Sequence, residues 1–144
     1  MAAKGVCLHH ISRESSDVKR LSKFYNEILG FEKIESPDNG IYERIWMKLP
    51  PVFSLHLIER NPKTKLPEGP WSSTDAIADP KNLSRGHHIC FAVSNYDSFV
   101  QTIKQKGIEV FEKTQPDGIT KQAFFFDPDG NGLEVGSWEA PIKM

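Results

Sequence analysis

LHHIS, residues 8–12, returns as GHHIC, residues 86–90, so that His9-His10-Ile11 falls on His87-His88-Ile89 at an offset of 78 residues. An internal duplication carries matching positions at one offset, and the rest of the chain bears this out. Gly30 and Gly107, which follow the two helix-like stretches, are 77 apart, as one residue deleted from the second helix would leave them. By residue 134 the register has returned, since His56 and Glu134 are again 78 apart. His10 with His88, and His56 with Glu134, are therefore equivalent positions of two copies.

The periodicities give each copy the same plan. A strand over 7–13 leads to Asp17, a side chain suited to cap the helix Val18–Leu29, which Gly30 ends. Val18, Leu21, Phe24, Tyr25, Ile28 and Leu29 recur at three- and four-residue spacing, an apolar stripe that a sheet would cover. Further strands are predicted over 31–35, 41–49 and 52–59, separated by Pro37-Asp38-Asn39-Gly40 and Pro50-Pro51. Residues 60–85 are polar, carry Pro62, Pro67, Pro70 and Pro80, and read as a connector. The second copy predicts a strand over 88–93, a helix over 96–106, and strands over 108–113, Lys121–Phe126 and 132–138. The order is βαβββ twice, an α+β chain: module one over about 6–59, module two over 86–138, and one domain over 1–144.

A chain of 144 residues buries roughly 70% of its unfolded surface, enough for a core without disulfides. Eighteen Lys and Arg against nineteen Asp and Glu leave a net charge of −1, which gives no field favouring nucleic acid or an anionic membrane. The first eleven residues lack a signal-peptide apolar core, and no window approaches the ~20 apolar residues that span a bilayer. These features predict a cytoplasmic protein with a small-molecule partner. Cys7 and Cys90 lie far apart with no CxxC spacing, which predicts free thiols.

Alternate residues of a strand share a face, so His10 is expected beside Leu8 and Ser12 while His9 points the other way. Glu134 shares its face with Gly132 and Gly136, whose small size is expected to leave room beside the carboxylate. All five histidines, His9, His10, His56, His87 and His88, lie in these strands. A pseudo-twofold relation of the modules would bring His10, His56, His88 and Glu134 together as metal ligands; taken singly, each also fits an ordinary core or surface role. Imidazole and carboxylate suit one divalent Zn, Ni, Co, Mn or Fe ion, and positions left to water would open the site to catalysis. Such an ion acts as a Lewis acid on a carbonyl, with Glu134 available as a base.

The strings LHHIS…DVKRLSKFYNEILGF, GHHICFAV and FFFDPDGNGLEV, and above all the pairing of FYxxxLGF with DPDGxxxE, resemble the vicinal oxygen chelate superfamily and its glyoxalase I-like members. The resemblance covers nearly the whole chain outside the connector. It implies two βαβββ modules forming a cup-shaped mixed sheet around one metal, with ligands at His10, His56, His88 and Glu134, and a homodimer. It also implies a lyase or isomerase chemistry on the hemithioacetal of a 2-oxoaldehyde, through an enediolate, with Glu134 moving the proton. Two positions depart from glyoxalase I: His56 stands where that enzyme usually has Glu, and Glu14 where it has a glutathione-binding Arg. Arg44, Arg60 and Asn61 are candidate substitute contacts for a substrate anion, or simply solvated groups.

Two other functions fit the same residues. His10, His88 and Glu134 match the two-histidine, one-carboxylate set of Fe(II) dioxygenases, although His56 would occupy a position that O₂ or substrate needs. A non-catalytic small-molecule-binding module is the third reading, against which the four ligand-type residues weigh. Asp127-Pro-Asp-Gly-Asn-Gly132 resembles the start of an EF-hand, but its twelfth position is Trp138 rather than Glu, so a tight turn is expected. Phe125 is expected in the core, with Phe124 and Phe126 on the opposite face.

Overall fold

The Asp17 side chain accepts the Arg20 backbone N–H at 3.0 Å, and Gly30, at φ 78°, ends the helix in the left-handed conformation that favours glycine. Helix α1 thus runs Val18–Leu29, as the periodicity predicts. In this computed structural model the described residues are 4–37, 40–51, 53–63 and 79–139. Asp38 and Asn39 of the expected turn, Val52 of the expected fourth strand, and 64–78 of the connector lie outside them.

The remaining elements are β1 His10–Ser15, β2 Glu32–Ile34, β3 Arg44–Leu49 and β4 Phe53–Glu59 in the first half. The second half holds a 3-10 helix Pro80–Arg85, β5 His88–Ala92, α2 Tyr96–Gln105, β6 Phe111–Thr114, β7 Lys121–Phe126 and β8 Gly132–Gly136. The chain forms two compact units, residues 1–70 and 71–144. Each has a four-stranded mixed sheet, β1-β4-β3-β2 in the first and β5-β8-β7-β6 in the second. In each, the first and last strands pair parallel and the rest antiparallel.

The duplication is visible in the pairing itself. Ser12 pairs with His56 as Cys90 pairs with Glu134, and Trp46 pairs with His56 as Phe124 pairs with Glu134. His10 faces Ser54 as His88 faces Gly132. Every one of these couples is shifted by 78 residues.

One face of the first sheet carries Leu55, Leu57, Ile45 and Met47, all buried, and the α1 stripe Val18, Leu21 and Tyr25 is buried with them. In the second unit Ala123, Phe125, Leu133 and Val135 are buried on one face of the sheet, and Tyr96, Val100 and Ile103 are the buried stripe of α2. Burying such side chains contributes about 1.5–3 kcal/mol each. Alternation then leaves His10, Trp46 and His56 on the other face of the first sheet, and His88, Cys90, Phe124 and Glu134 on that of the second.

Several strand limits differ from expectation because a ladder extends only as far as its partner. Pairing with β4 sets β1 to His10–Ser15 rather than 7–13, so His9 precedes the strand and escapes its alternation. β3 starts at Arg44, β6 at Phe111, and β8 stops at Gly136 rather than 138. The end of the expected connector is helical: Asp79 accepts the Lys81 N–H at 3.0 Å, Pro80 occupies the first turn, and the 3-10 helix packs on β7 and β8. At the turn before β8, Asp127 Oδ1 accepts the Asp129 and Asn131 N–H groups, both at 2.9 Å, and Gly130 has φ 87°. This is the tight turn expected.

Candidate metal centre

Within the second unit His88 and Glu134 meet: Nε2 of His88 lies 3.0 Å from Oε2 of Glu134. The other His88 nitrogen, Nδ1, is 2.9 Å from the Gly86 carbonyl oxygen. A carbonyl only accepts, so Nδ1 carries the proton. Nε2 then faces a carboxylate oxygen with either a second proton or a cation between them. Two neighbouring ligand atoms at about 2.1 Å from an octahedral ion lie about 3.0 Å apart, against about 3.4 Å for a tetrahedral one. This pair therefore fits a divalent metal in both spacing and tautomer, and Gly86 supplies the outer hydrogen bond that metal-binding histidines use.

Glu134 is only 3% exposed. Its Oε1 accepts from Gln122 Nε2 at 2.8 Å and from Trp138 Nε1 at 3.3 Å. Cys90, opposite Glu134 across the ladder, turns its thiol toward the carboxylate; burial first and the neighbouring charge second push that thiol up to about 12. Cys90 stays protonated and acts as a weak donor, and both Cys7 and Cys90 are free.

The room expected beside Glu134 is filled. A Cβ added at Gly132 would lie 2.5 Å from both the His87 carbonyl oxygen and Leu83 Cδ2, and one at Gly136 would lie 2.3 Å from Trp138 Nε1. Gly132 admits Leu83 of the 3-10 helix close against β8, and Gly136 admits the Trp138 indole, whose N–H reaches the carboxylate.

In the first unit His10 and His56 also meet, but as a stack: ring centroids are 4.0 Å apart and the planes 15° from parallel. His56 is in turn stacked on Trp46, at 3.8 Å and 2°. A metal bound by an imidazole lies in the plane of the ring, so two nearly parallel rings do not aim at one point. As placed, these two do not fit a shared ion, and one ring would have to turn. His56 is held below the usual histidine value by burial, then by His10 and His9, which keeps it in the neutral form a ligand needs. His9 does not point away as expected; its Nδ1 is 2.9 Å from that of His10. Among the described residues no group of three or more His, Cys, Asp or Glu is gathered at one point.

Two of the candidate anion contacts, Arg60 and Asn61, are tied to β1 through their backbone N–H groups. The Asn61 N–H donates to Glu14 Oε2 at 3.0 Å, and the Asn61 side-chain oxygen accepts from Lys63 N. Arg60 donates its backbone N–H to Ser15 O at 2.8 Å. Arg44 lies on the Trp46 face of β3, paired with Ile58. Gln122 and Trp138 escaped the sequence reading. Trp138 shares the parity of Glu134, but only the β7–β8 register brings Gln122 beside it.

The family model described as the glyoxalase/bleomycin resistance protein/dioxygenase superfamily matches residues 7–135. The chain belongs to that superfamily. A Bacillus subtilis relative, the uncharacterized protein YwkD, is 30% identical over 89% of this chain and 94% of its own length. Lactoylglutathione lyase of Schizosaccharomyces pombe is 30% identical over 90% of this chain, which spans 47% of that enzyme. Among solved structures, TnmS3, an antibiotic binding protein from Streptomyces sp. CB03234, matches with a TM-score of 0.65 at 19% identity, over 93% of this chain and 97% of its own. That likeness shows the fold. Among the described residues no helix is long and apolar enough to cross a membrane.

Proposed function

We propose that this superfamily member is a metal-dependent, glyoxalase I-like lyase or isomerase acting on the thiol adduct of a 2-oxoaldehyde. In this reading the two units work as one domain, His88, Glu134, His10 and His56 are the ligands, and a homodimer is the assembly. The observation that carries it is the 3.0 Å approach of His88 Nε2 to Glu134 Oε2, with Gly86 holding the far side of the ring. A divalent ion held there would supply Lewis-acid polarisation of the substrate carbonyl. Glu134, through Oε2, would take the proton from one carbon and return it to its neighbour. Gln122 and Trp138 would hold the carboxylate still while it does so, and Cys90 would stay protonated beside it. His56 and His10 would complete the ligand set after one ring turns out of the stack. Lactoylglutathione lyase among the relatives supports this chemistry, while Glu14, in place of a cationic contact, argues for a thiol other than glutathione.

Metal content and turnover test the reading together. The wild type should purify with, or take up, about one equivalent of divalent metal per chain, and should convert a hemithioacetal to a thioester with at least one of several thiols. Glu134→Gln should lose both, while His9→Ala keeps its metal. Equal metal loss in the two variants, or a metal-loaded wild type inert with every thiol, would refute it.

A second reading is favoured by the Trp46–His56–His10 stack, which a planar ligand bound without turnover would extend by stacking on an end ring. Metal-free wild type that binds aromatic ligands, and loses them in Trp46→Ala, would select it.

A further inference from the structure

Gln122 is a buried polar residue on a strand whose next three side chains, Ala123, Phe124 and Phe125, are buried and apolar. It is 8% exposed, between Lys121 and the fully buried Ala123 on β7. A buried amide needs partners for both of its ends, and here the partners fix which end is which. The Glu134 carboxylate can only accept, so the Gln122 NH₂ faces it, donating to Oε1 at 2.8 Å. The Gln122 oxygen then faces outward along the sheet and accepts from Nε2 of Gln115, just beyond β6. The backbone is held as well, by the Tyr96 hydroxyl, which donates to Gln122 O at 2.9 Å.

The result is a directed chain, Gln115 to Gln122 to Glu134, joined at the same carboxylate oxygen by the Trp138 indole N–H at 3.3 Å. Gln122 and Trp138 both donate to Oε1, while His88 Nε2 lies against Oε2.

Resting on the metal-site reading above, we propose that Gln122, oriented by Gln115, is a positioning residue. It reserves Oε1 of Glu134 for the protein and makes Oε2 the single oxygen offered to metal and substrate. Without it the carboxylate turns about its last bond, and both oxygens compete for the ion. Outer hydrogen bonds of this kind are worth about 10- to 100-fold in metal affinity.

The test is Co(II) titration of the full chain, followed by calorimetry and by the visible absorption of the bound ion, with far-UV circular dichroism to establish folding. Gln122→Leu should bind Co(II) about 10- to 100-fold more weakly, with a weaker visible band as the carboxylate becomes bidentate and the coordination number rises. Gln115→Ala, which keeps Gln122 but removes the donor that anchors its amide oxygen, should fall between this and the wild type. If Gln122→Leu does not fold, Gln115→Ala decides: weakened binding with an altered band supports the chain, and wild-type behaviour overturns it. Co(II) binding that is lost in Glu134→Gln but unchanged, in affinity and spectrum, in both glutamine variants overturns this inference alone. A wild type that binds no Co(II) overturns the metal-site reading and this inference with it.

Discussion

Replacing Gly132 by Ala should be among the most costly single-methyl additions in the second unit. The new Cβ would lie 2.5 Å from the His87 carbonyl oxygen, 2.5 Å from Leu83 Cδ2 and 3.3 Å from His88 Cβ. Leu83, 4% exposed, has little room to turn. The carbonyl belongs to the backbone leading into β5 and moves only if the β5–β8 ladder moves. Relief of almost 1 Å is required, which places the cost near the upper end of the 1–3 kcal/mol typical of overpacking, about 3 kcal/mol. With a urea m-value of about 2 kcal/mol/M, the unfolding midpoint falls by about 1.5 M. Gly136→Ala is the informative comparison. The three atoms nearest its Cβ all belong to the Trp138 indole, and Trp138, 40% exposed, can swing outward. The loss is then one long hydrogen bond to Glu134, about 1 kcal/mol, partly offset by the stiffer unfolded chain. Gly86→Ala serves as the control, with φ −103° and nothing within 4 Å; it should be neutral or slightly stabilising. Urea unfolding followed by circular dichroism and tryptophan fluorescence measures all three. A Gly132→Ala midpoint matching that of Gly86→Ala would refute the close approach of the 3-10 helix and β5 to β8.

Acid unfolding should report the Lys104–Glu112 pair. The hydrogen bond from Lys104, at 2.6 Å, is the main force holding the Glu112 carboxyl below its usual 4.5, opposed by burial and assisted by Tyr96. A depressed carboxyl stabilises the fold above its unfolded value, so the stability gap between wild type and Lys104→Met should be level above about pH 5 and close as the pH falls below 4.5. A gap unchanged down to pH 3 would contradict the assignment. Tyr96→Phe removes the hydroxyl that bonds both Gln122 O and Glu112. It should cost about 1–2 kcal/mol in urea unfolding, and a change too small to measure would mean that water replaces the hydroxyl.

The repeat was the most legible part of the sequence because it is a statement about matching positions, not about local propensity. It anticipated that His10 answers to His88 and His56 to Glu134, and the strand pairing extends the same 78-residue offset to Trp46 and Phe124. Helix α1 was legible to the residue, since Asp17, the apolar stripe and Gly30 are all local signals. Strand ends were not: a ladder such as β1–β4 is fixed by a partner some forty residues away, and that displaced His9 from its expected face. The 3-10 helix carried a signal that the count of prolines obscured, Asp79 followed by Pro80 at the first turn. The glycines beside Glu134 were recognised as small, but whether smallness leaves space or admits a neighbour depends on where Leu83 and Trp138 go. The Gln115–Gln122–Glu134 chain had no sequence signature at all, because glutamine in a strand becomes informative only when its cross-strand neighbour is known.

His10 and His88 each occupy the first residue of a strand, and each of those strands is the outermost of its own sheet. End rungs of an outer ladder open at far lower free energy than the centre of a sheet. If each imidazole is a ligand, as proposed, what it binds would be tethered to the part of its ladder that breathes most readily. Occupancy and fraying would then be one equilibrium: binding would slow amide exchange at the start of β1 or of β5, and anything that loosens that end would speed the ligand's escape.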